Sequence, residues 1–325
     1  MFSKRILVAF ALSLALVGCG SDDMVSSESA KTNVEGFIND SLLGANVTAA
    51  VTSIEKDSGL YKLEIELVQD GSEEKQEVVS YVTLDGTKFI PEMMDIAEMK
   101  AEVEQKEAQE KLAKEIEILE TPKTSHPIAE LFVMSHCPFG TQIEKGILPV
   151  IDALGDKVDF QLKFVNYVMH GDKEIKEQTR QFCIQKDFSD KLISYLKEFL
   201  KEGDSDAALA AVGIDASTLE DCVAVADEEF KITENFEDKD SWLSGQFPKF
   251  EIHAEDNKKY DVKGSPAFVV NGKVIAGADR SPAGLLTAVC AGFENAPEEC
   301  STELSVQVPG AGFGEGVGTN GGSCS

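Results

Sequence analysis

One short stretch limits the fold of this chain more than any other: Phe132-Val133-Met134-Ser135-His136-Cys137-Pro138-Phe139-Gly140. The apolar run over residues 128–134 reads as a buried strand. Beyond the stretch, Ile143, Ile147, Ile151 and Leu154 recur at helical spacing. Cys137 therefore falls at a strand-to-helix corner, where the first helical N–H groups point outward without partners. Those donors and the helix dipole favour a thiolate over a thiol, so the pKa of such a cysteine falls. Pro138 suits the first helical position, where its missing N–H costs nothing. His136 admits two readings. As an imidazolium it would stabilise the thiolate; as the neighbour on an extended segment it would face away from the sulfur.

Far downstream, Gly264-Ser265-Pro266 precedes the apolar run Ala267-Phe268-Val269-Val270. Strand, Cys-Pro-aromatic, helix and a distant Ser-Pro loop together resemble the thioredoxin superfamily, in particular its extracytoplasmic thiol oxidoreductases of the DsbA, DsbC and GILT type. The resemblance implies an α/β thioredoxin-like fold with a helical insert. It also implies a catalytic Cys137 and a cis-proline loop (Gly264, Ser265, Pro266) that lies beside the sulfur and offers backbone to substrate. The substrates would be proteins or small thiols and disulfides, and no cofactor is implied. One departure matters. The family's Cys-X-X-Cys stands here as Cys137-Pro138-Phe139-Gly140, so a dithiol cycle within the motif is impossible. Phe139 would form an apolar rim, and Gly140 would leave space where the second sulfur sits in the family.

The N-terminus carries an address. Lys4 and Arg5 precede an apolar run over residues 6–17, too short to span a bilayer comfortably. Leu16-Val17-Gly18-Cys19 fits a bacterial lipoprotein signal (1–18) in which Cys19 is acylated; the plainer reading is a cleaved signal with an incidental cysteine. The expectation is an extracytoplasmic protein, periplasmic or at the cell surface, tethered to a membrane through Cys19 and a polar segment, 19–32. A net charge of −28 argues against nucleic acid and anionic lipid as partners.

The chain then reads in blocks. Residues 33–91 form a small α+β domain: a helix over 33–43, strands near 47–54, 61–67 and 77–84, and an Asp85-Gly86 hairpin turn. Its order of elements is similar to the dimerisation domain of DsbC-type isomerases, which implies a homodimer; a generic small sheet domain is the alternative. Residues 92–123 contain no glycine, pair glutamates with lysines four residues on, and end at Thr121-Pro122, which reads as a linker helix. The thioredoxin-like domain spans 124–293, with an insert at about 172–240 that is helical by composition. The tail, 294–325, is rich in glycine and is expected to be disordered.

Of seven cysteines, six remain once Cys19 is set aside. Cys290 and Cys300 flank a turn at Asn295-Ala296-Pro297, and Cys183 and Cys222 lie in helical stretches of the insert. Each pair reads as a structural disulfide, with buried free thiols as the alternative. Cys137 and Cys324 are left over. A tail of 24 residues (324 − 300) reaches roughly 25–30 Å as a coil, so Cys324 is a candidate resolving thiol. An unpaired tail cysteine, or one joining two chains, is the plainer reading. His126, His170 and His253 show no metal-ligand spacing, and no metal is expected.

Three functions fit. The first is a thiol–disulfide oxidoreductase or isomerase acting through the single nucleophile Cys137. The second is a non-catalytic thioredoxin-fold lipoprotein that binds unfolded or partner proteins. The third is a peroxidase-like sulfenic acid cycle.

Overall fold

The computed structural model describes residues 24–72 and 74–325; the leader and Cys19 lie outside them. The described residues divide into two compact units that meet in sequence between residues 105 and 106.

In the first unit, α1 (Ser27–Phe37) starts where the Ser26 side chain accepts from Ser29 N and ends in a wider turn, Ile38–Leu42. The helix begins six residues before the expected 33, inside the stretch read as a tether. The reason lies in Ala30, Val34 and Ile38, spaced at i,i+4 and all buried against the sheet. That sheet is an antiparallel meander of β1 (Val47–Asp57), β2 (Leu60–Gln69), β3 (Lys75–Thr83) and β4 (Phe89–Ile90). Tyr61, Leu63 and Ile65 alternate inward on β2. Asp85 holds the hairpin turn before β4 by accepting from Thr87 N. Hydrogen bonds from Thr83 and Thr87 keep its carboxyl near pKa 2.

The linker helix α2 (Ile96–Leu119) buries none of its side chains. Asp95 caps it through Ala97 N and Glu98 N. Its last turns are fastened to the second unit by Lys273 Nζ on Glu117 O (2.6 Å) and by Ala276 N on the Glu117 carboxylate (3.0 Å).

The second unit is built on β5 (Ile128–Val133), β6 (Asp159–Phe164), β7 (Ala267–Val270) and β8 (Lys273–Val274), in the order β6-β5-β7-β8. β5 runs parallel to β6 and antiparallel to β7, so Leu131 faces Leu162 on one side and Phe268 on the other. Both faces of β5 are covered, which is why its apolar residues are not confined to alternate positions; Glu130 is the one polar interruption. On one face, α3 (Pro138–Leu154) packs through Ile143, Ile147, Val150 and Leu154. The helix continues through Pro149 without interruption. α10 (Pro282–Cys290) packs beside it.

The insert comprises α4 (Asp172–Asp187), α5 (Ser189–Glu202), α6 (Ser205–Val212), α7 (Glu220–Phe230) and α8 (Ile232–Glu237). Tyr195, Leu196 and Phe199 drive α5 into the core. α9 (Ala254–Lys259) follows the insert, and Lys163 on β6 meets it. The Lys163 side chain is largely buried. It is bound between Glu130 (2.8 Å) and Asp256 (2.5 Å), while Tyr260 donates to the other Glu130 oxygen (2.7 Å). Burial would lower its pKa, but the bonds to both carboxylates win and raise it.

The tail is not disordered. Gly312 N donates to Pro138 O and Gly314 N to Leu200 O, while Gly310 and Gly316 pair with each other. Phe313 is wedged edge-on between Phe199 and His136. The glycines permit close backbone approach and positive φ, as at Gly312 (+81°) and Gly314 (+83°). A glycine-rich composition marks tight packing here as readily as flexibility.

Candidate active site

The corner after β5 is closed by Cys137 N on Met134 O (2.9 Å), and Cys137 then caps α3, its sulfur accepting from Gly140 N (3.4 Å). Pro138 is the first helical residue. A loop from another part of the chain closes the site from the side. The Ser265–Pro266 peptide is cis, Ser265 O lies 3.6 Å from the Cys137 sulfur, and Ser265 Oγ accepts from Met134 N (2.9 Å). Tyr167 steadies that loop through Lys263 O (2.8 Å).

The Cys137 sulfur is bonded to Cys324. The tail reaches it through a single antiparallel bridge: Cys324 N donates to Ser265 O (2.8 Å) and Ser265 N to Cys324 O (2.9 Å). Gly264 makes room for this approach. A Cβ there would lie 2.4 Å from Cys324 O and 2.8 Å from Ser325 Cβ. Side chains from the domain grip the tail backbone upstream. Gln142 donates to Pro309 O and Thr319 O, Lys145 to Gly312 O and Gly314 O, and Arg280 to Gly321 O and Gly322 O. The other disulfides are Cys183–Cys222 between α4 and α7, and Cys290–Cys300 after α10.

One expectation about this site needs correction, and one open reading closes. Cys137 is fully buried, with the tail bonded over it. Gly140 leaves no vacancy. A Cβ at that position would stand 2.7 Å from Ser265 Oγ and 3.0 Å from Met134 O, so the space of a second motif sulfur is taken by the loop serine. His136 is no imidazolium near neutral pH. Burial, with the Lys173 charge adding to it, pushes its pKa down to about 4. Its Nδ1 meets Ser135 Oγ (3.1 Å) and its ring packs on Phe199 and Phe313. The stabilising group for a Cys137 thiolate is the helix N-terminus, through Gly140 N.

Sequence reasoning missed Gln142, Lys145, Arg280 and Glu174. The first two are polar interruptions on the apolar helix α3, which is the signal that could have marked them. Glu174, fully buried on α4, orients the His136 segment by accepting from the backbone N of His136 (3.3 Å) and of Met169 (2.9 Å). Arg280, in the loop before α10, carries no local pattern that separates it from a surface arginine.

A parallel β5–β6 pair continued antiparallel by β7 and β8, a cysteine-capped helix after the central strand and a cis-proline loop facing it define the second unit. Its fold is thioredoxin-like. Solved structures similar to it include reduced DsbA from Mycobacterium tuberculosis (TM-score 0.37, 13% identity, covering 54% of this chain and 86% of that one). Others are reduced DsbG from Mycobacterium tuberculosis (0.37, 14%, 54% and 82%) and DsbA from Pseudomonas aeruginosa (0.30, 19%, 51% and 82%). No protein-family model and no curated protein matches the chain. Among the described residues, no group of histidine, cysteine and carboxylate side chains could hold a metal ion, and no helix is long and apolar enough to cross a membrane.

Proposed function

We propose that this chain is a thiol–disulfide oxidoreductase whose redox pair is split between the helix corner and the tail, with Cys137 as the attacking sulfur and Cys324 as the resolving one. The observation that carries this reading is the Cys137–Cys324 bond itself, made at a helix N-terminus beside the Ser265–Pro266 loop. Starting from the disulfide, a substrate thiolate attacks the Cys137 sulfur and Cys324 leaves as thiolate. The substrate's second thiolate then attacks its own sulfur in the mixed disulfide, and Cys137 leaves, stabilised by the Gly140 N–H. The substrate loses two electrons and two protons and the chain gains them. Run backwards, the same steps reduce a substrate disulfide. When a substrate thiol takes the place of Cys324, the outcome is isomerisation.

The three intrachain disulfides support an oxidising compartment, in keeping with the reading of residues 1–18 as a lipoprotein signal and Cys19 as its acylated residue. The first unit is proposed to pair two chains, which sedimentation of the mature protein tests by giving twice the chain mass.

The oxidised protein is to be mixed with a peptide dithiol, quenched with acid and mapped. The expected result is loss of the Cys137–Cys324 link with the other two disulfides intact. Cys324→Ser protein given a peptide disulfide should accumulate a mixed disulfide on Cys137 that the wild type does not. Equal turnover by the two proteins, or a Cys137–Cys324 link as resistant as Cys183–Cys222, overturns the reading.

A further inference from the structure

The tail segment Asn320-Gly321-Gly322-Ser323-Cys324 is held in a manner that no covering loop requires. Its cysteine is covalently bound to the nucleophile and backbone-paired with Ser265 in both directions. Arg280 then spends both terminal nitrogens on main-chain carbonyls. One bonds Gly321 O (2.7 Å), three residues before the cysteine, and the other bonds Gly322 O (2.7 Å), two before it. Backbone carbonyls are common to every polypeptide, so these bonds read main chain rather than a side chain.

The neighbouring contact does discriminate. Gly322 has φ +82°, and a Cβ there would stand 2.4 Å from the Phe139 ring. That ring cannot yield easily: Arg280 lies over it, 5.9 Å from its centroid, and the guanidinium is itself tied to Gln142 Oε1 (2.9 Å). Four residues before the cysteine, the Asn320 side chain accepts from Arg280 N (2.7 Å) and donates to Asp279 (3.0 Å).

We infer that the tail occupies the cleft of a substrate polypeptide, and that Arg280 and Phe139 form a specificity subsite there. Arg280 holds the main chain two and three residues before the substrate's cysteine, and Phe139 restricts the residue two before it to glycine. The substrate class is a segment of the form Asn-x-Gly-x-Cys that turns at the glycine, where φ is positive, and that the tail imitates until a substrate displaces it. The inference rests on Cys137 being the nucleophile.

Full-length Cys324→Ser protein, in which Cys137 is a free thiol, is to be mixed with acetyl-Asn-Gly-Gly-Ser-Cys-Ser-amide whose cysteine carries thionitrobenzoate. The Cys137 thiolate attacks the peptide's sulfur, the bond to thionitrobenzoate breaks, and that group leaves as a coloured thiolate. Its release is compared with release from the same peptide bearing leucine two residues before the cysteine, and with release from Ellman's reagent, which has no main chain. The glycine peptide should react roughly tenfold faster than the leucine peptide. Arg280→Ala should lower the ratio of the glycine-peptide rate to the Ellman rate roughly tenfold, and Arg280→Lys by less. Equal rates for the two peptides, or an unchanged ratio in Arg280→Ala, overturn the subsite while leaving the nucleophile in place. Failure of Ellman's reagent itself overturns the nucleophile and the subsite with it.

Discussion

Two disulfides of this chain differ more in surroundings than in burial: Cys183, Cys222 and Cys137 are buried and Cys324 is half-buried. Cys183 and Cys222 join α4 to α7, and both sulfurs sit in the main apolar core with Ile184, Tyr195 and Leu196. Cys137 is equally buried, but its partner lies on a segment held by carbonyl capture from Gln142, Lys145 and Arg280 and by one inserted ring, Phe313. If the first bond is cut, the helices still have a core to hold them together. If the second is cut, the tail is left with exchangeable hydrogen bonds that water replaces at small net cost. Under the proposed function, the comparison teaches that burial alone would not separate a structural disulfide from a reactive one. What decides is whether the leaving thiol has somewhere to go and whether the remaining one is stabilised as an anion.

The sharpest way to break this comparison is to remove each pair in turn. Cys137→Ser should lower the rate of disulfide exchange by roughly a thousandfold or more, because no other sulfur stands at the helix N-terminus. Removing Cys183 and Cys222 together should leave exchange nearly unchanged while costing about 3–4 kcal/mol of stability by urea unfolding. A reversed pattern, with exchange lost through the insert, would erase the distinction.

Acid should loosen the packing against β6 through His253. Burial, aided by the Lys163 charge, pushes the His253 pKa down to about 4, and its Nδ1 must stay unprotonated to accept from Phe164 N (3.0 Å). The folded-state pKa lies below the unfolded value of 6.5. The stability contribution is therefore whole above that value and falls as the pH drops from there toward 4, by roughly 3 kcal/mol at most. Unfolding followed at pH 7 and pH 4.5 should show this loss, and His253→Gln, which keeps an acceptor, should flatten it.

A smaller effect is expected on the tail side. Gly140→Ala drives a Cβ toward Ser265 Oγ and Met134 O and should cost about 1–3 kcal/mol, with a clear fall in the rate of Cys137–Cys324 closure after reduction. Closure at the wild-type rate would mean that the loop yields without moving the sulfur.

The smallest change concerns Glu144 on α3, between the two regions. Both its oxygens are buried without partners, and burial, reinforced by Glu177, raises its pKa well above the usual range. A raised folded-state pKa contributes stability at low pH that is lost as the pH climbs. Glu144→Met should therefore stabilise the protein by about 1 kcal/mol at pH 8 and by less at pH 5.

Much of the fold was legible because its signals are local. The alternation of Tyr61, Leu63 and Ile65, the Asp85-Gly86 turn, and the Cys-Pro start of α3 all act within a few residues, where backbone sterics and capping operate. The helix start at Ser27 was missed because a polar tether and a capped amphipathic helix share a composition; burial of Ala30 and Val34 needs the sheet. The tail was misread for a related reason. Glycine content reports conformational freedom, while order there depends on Lys145, Gln142 and Arg280, which are distant in sequence.

By itself the sequence determined that a sulfur stands at a βα corner, that the motif lacks its second cysteine, and that a Ser-Pro loop exists to face it. These follow from residue identity and short-range geometry. Only the tertiary structure decided that Cys324 reaches Cys137, that Ser265 fills the space above Gly140, and that His136 stays neutral. Each depends on which groups meet after 125 or more residues of chain have folded back, or on how much water that folding removes, and neither quantity is written in any local pattern.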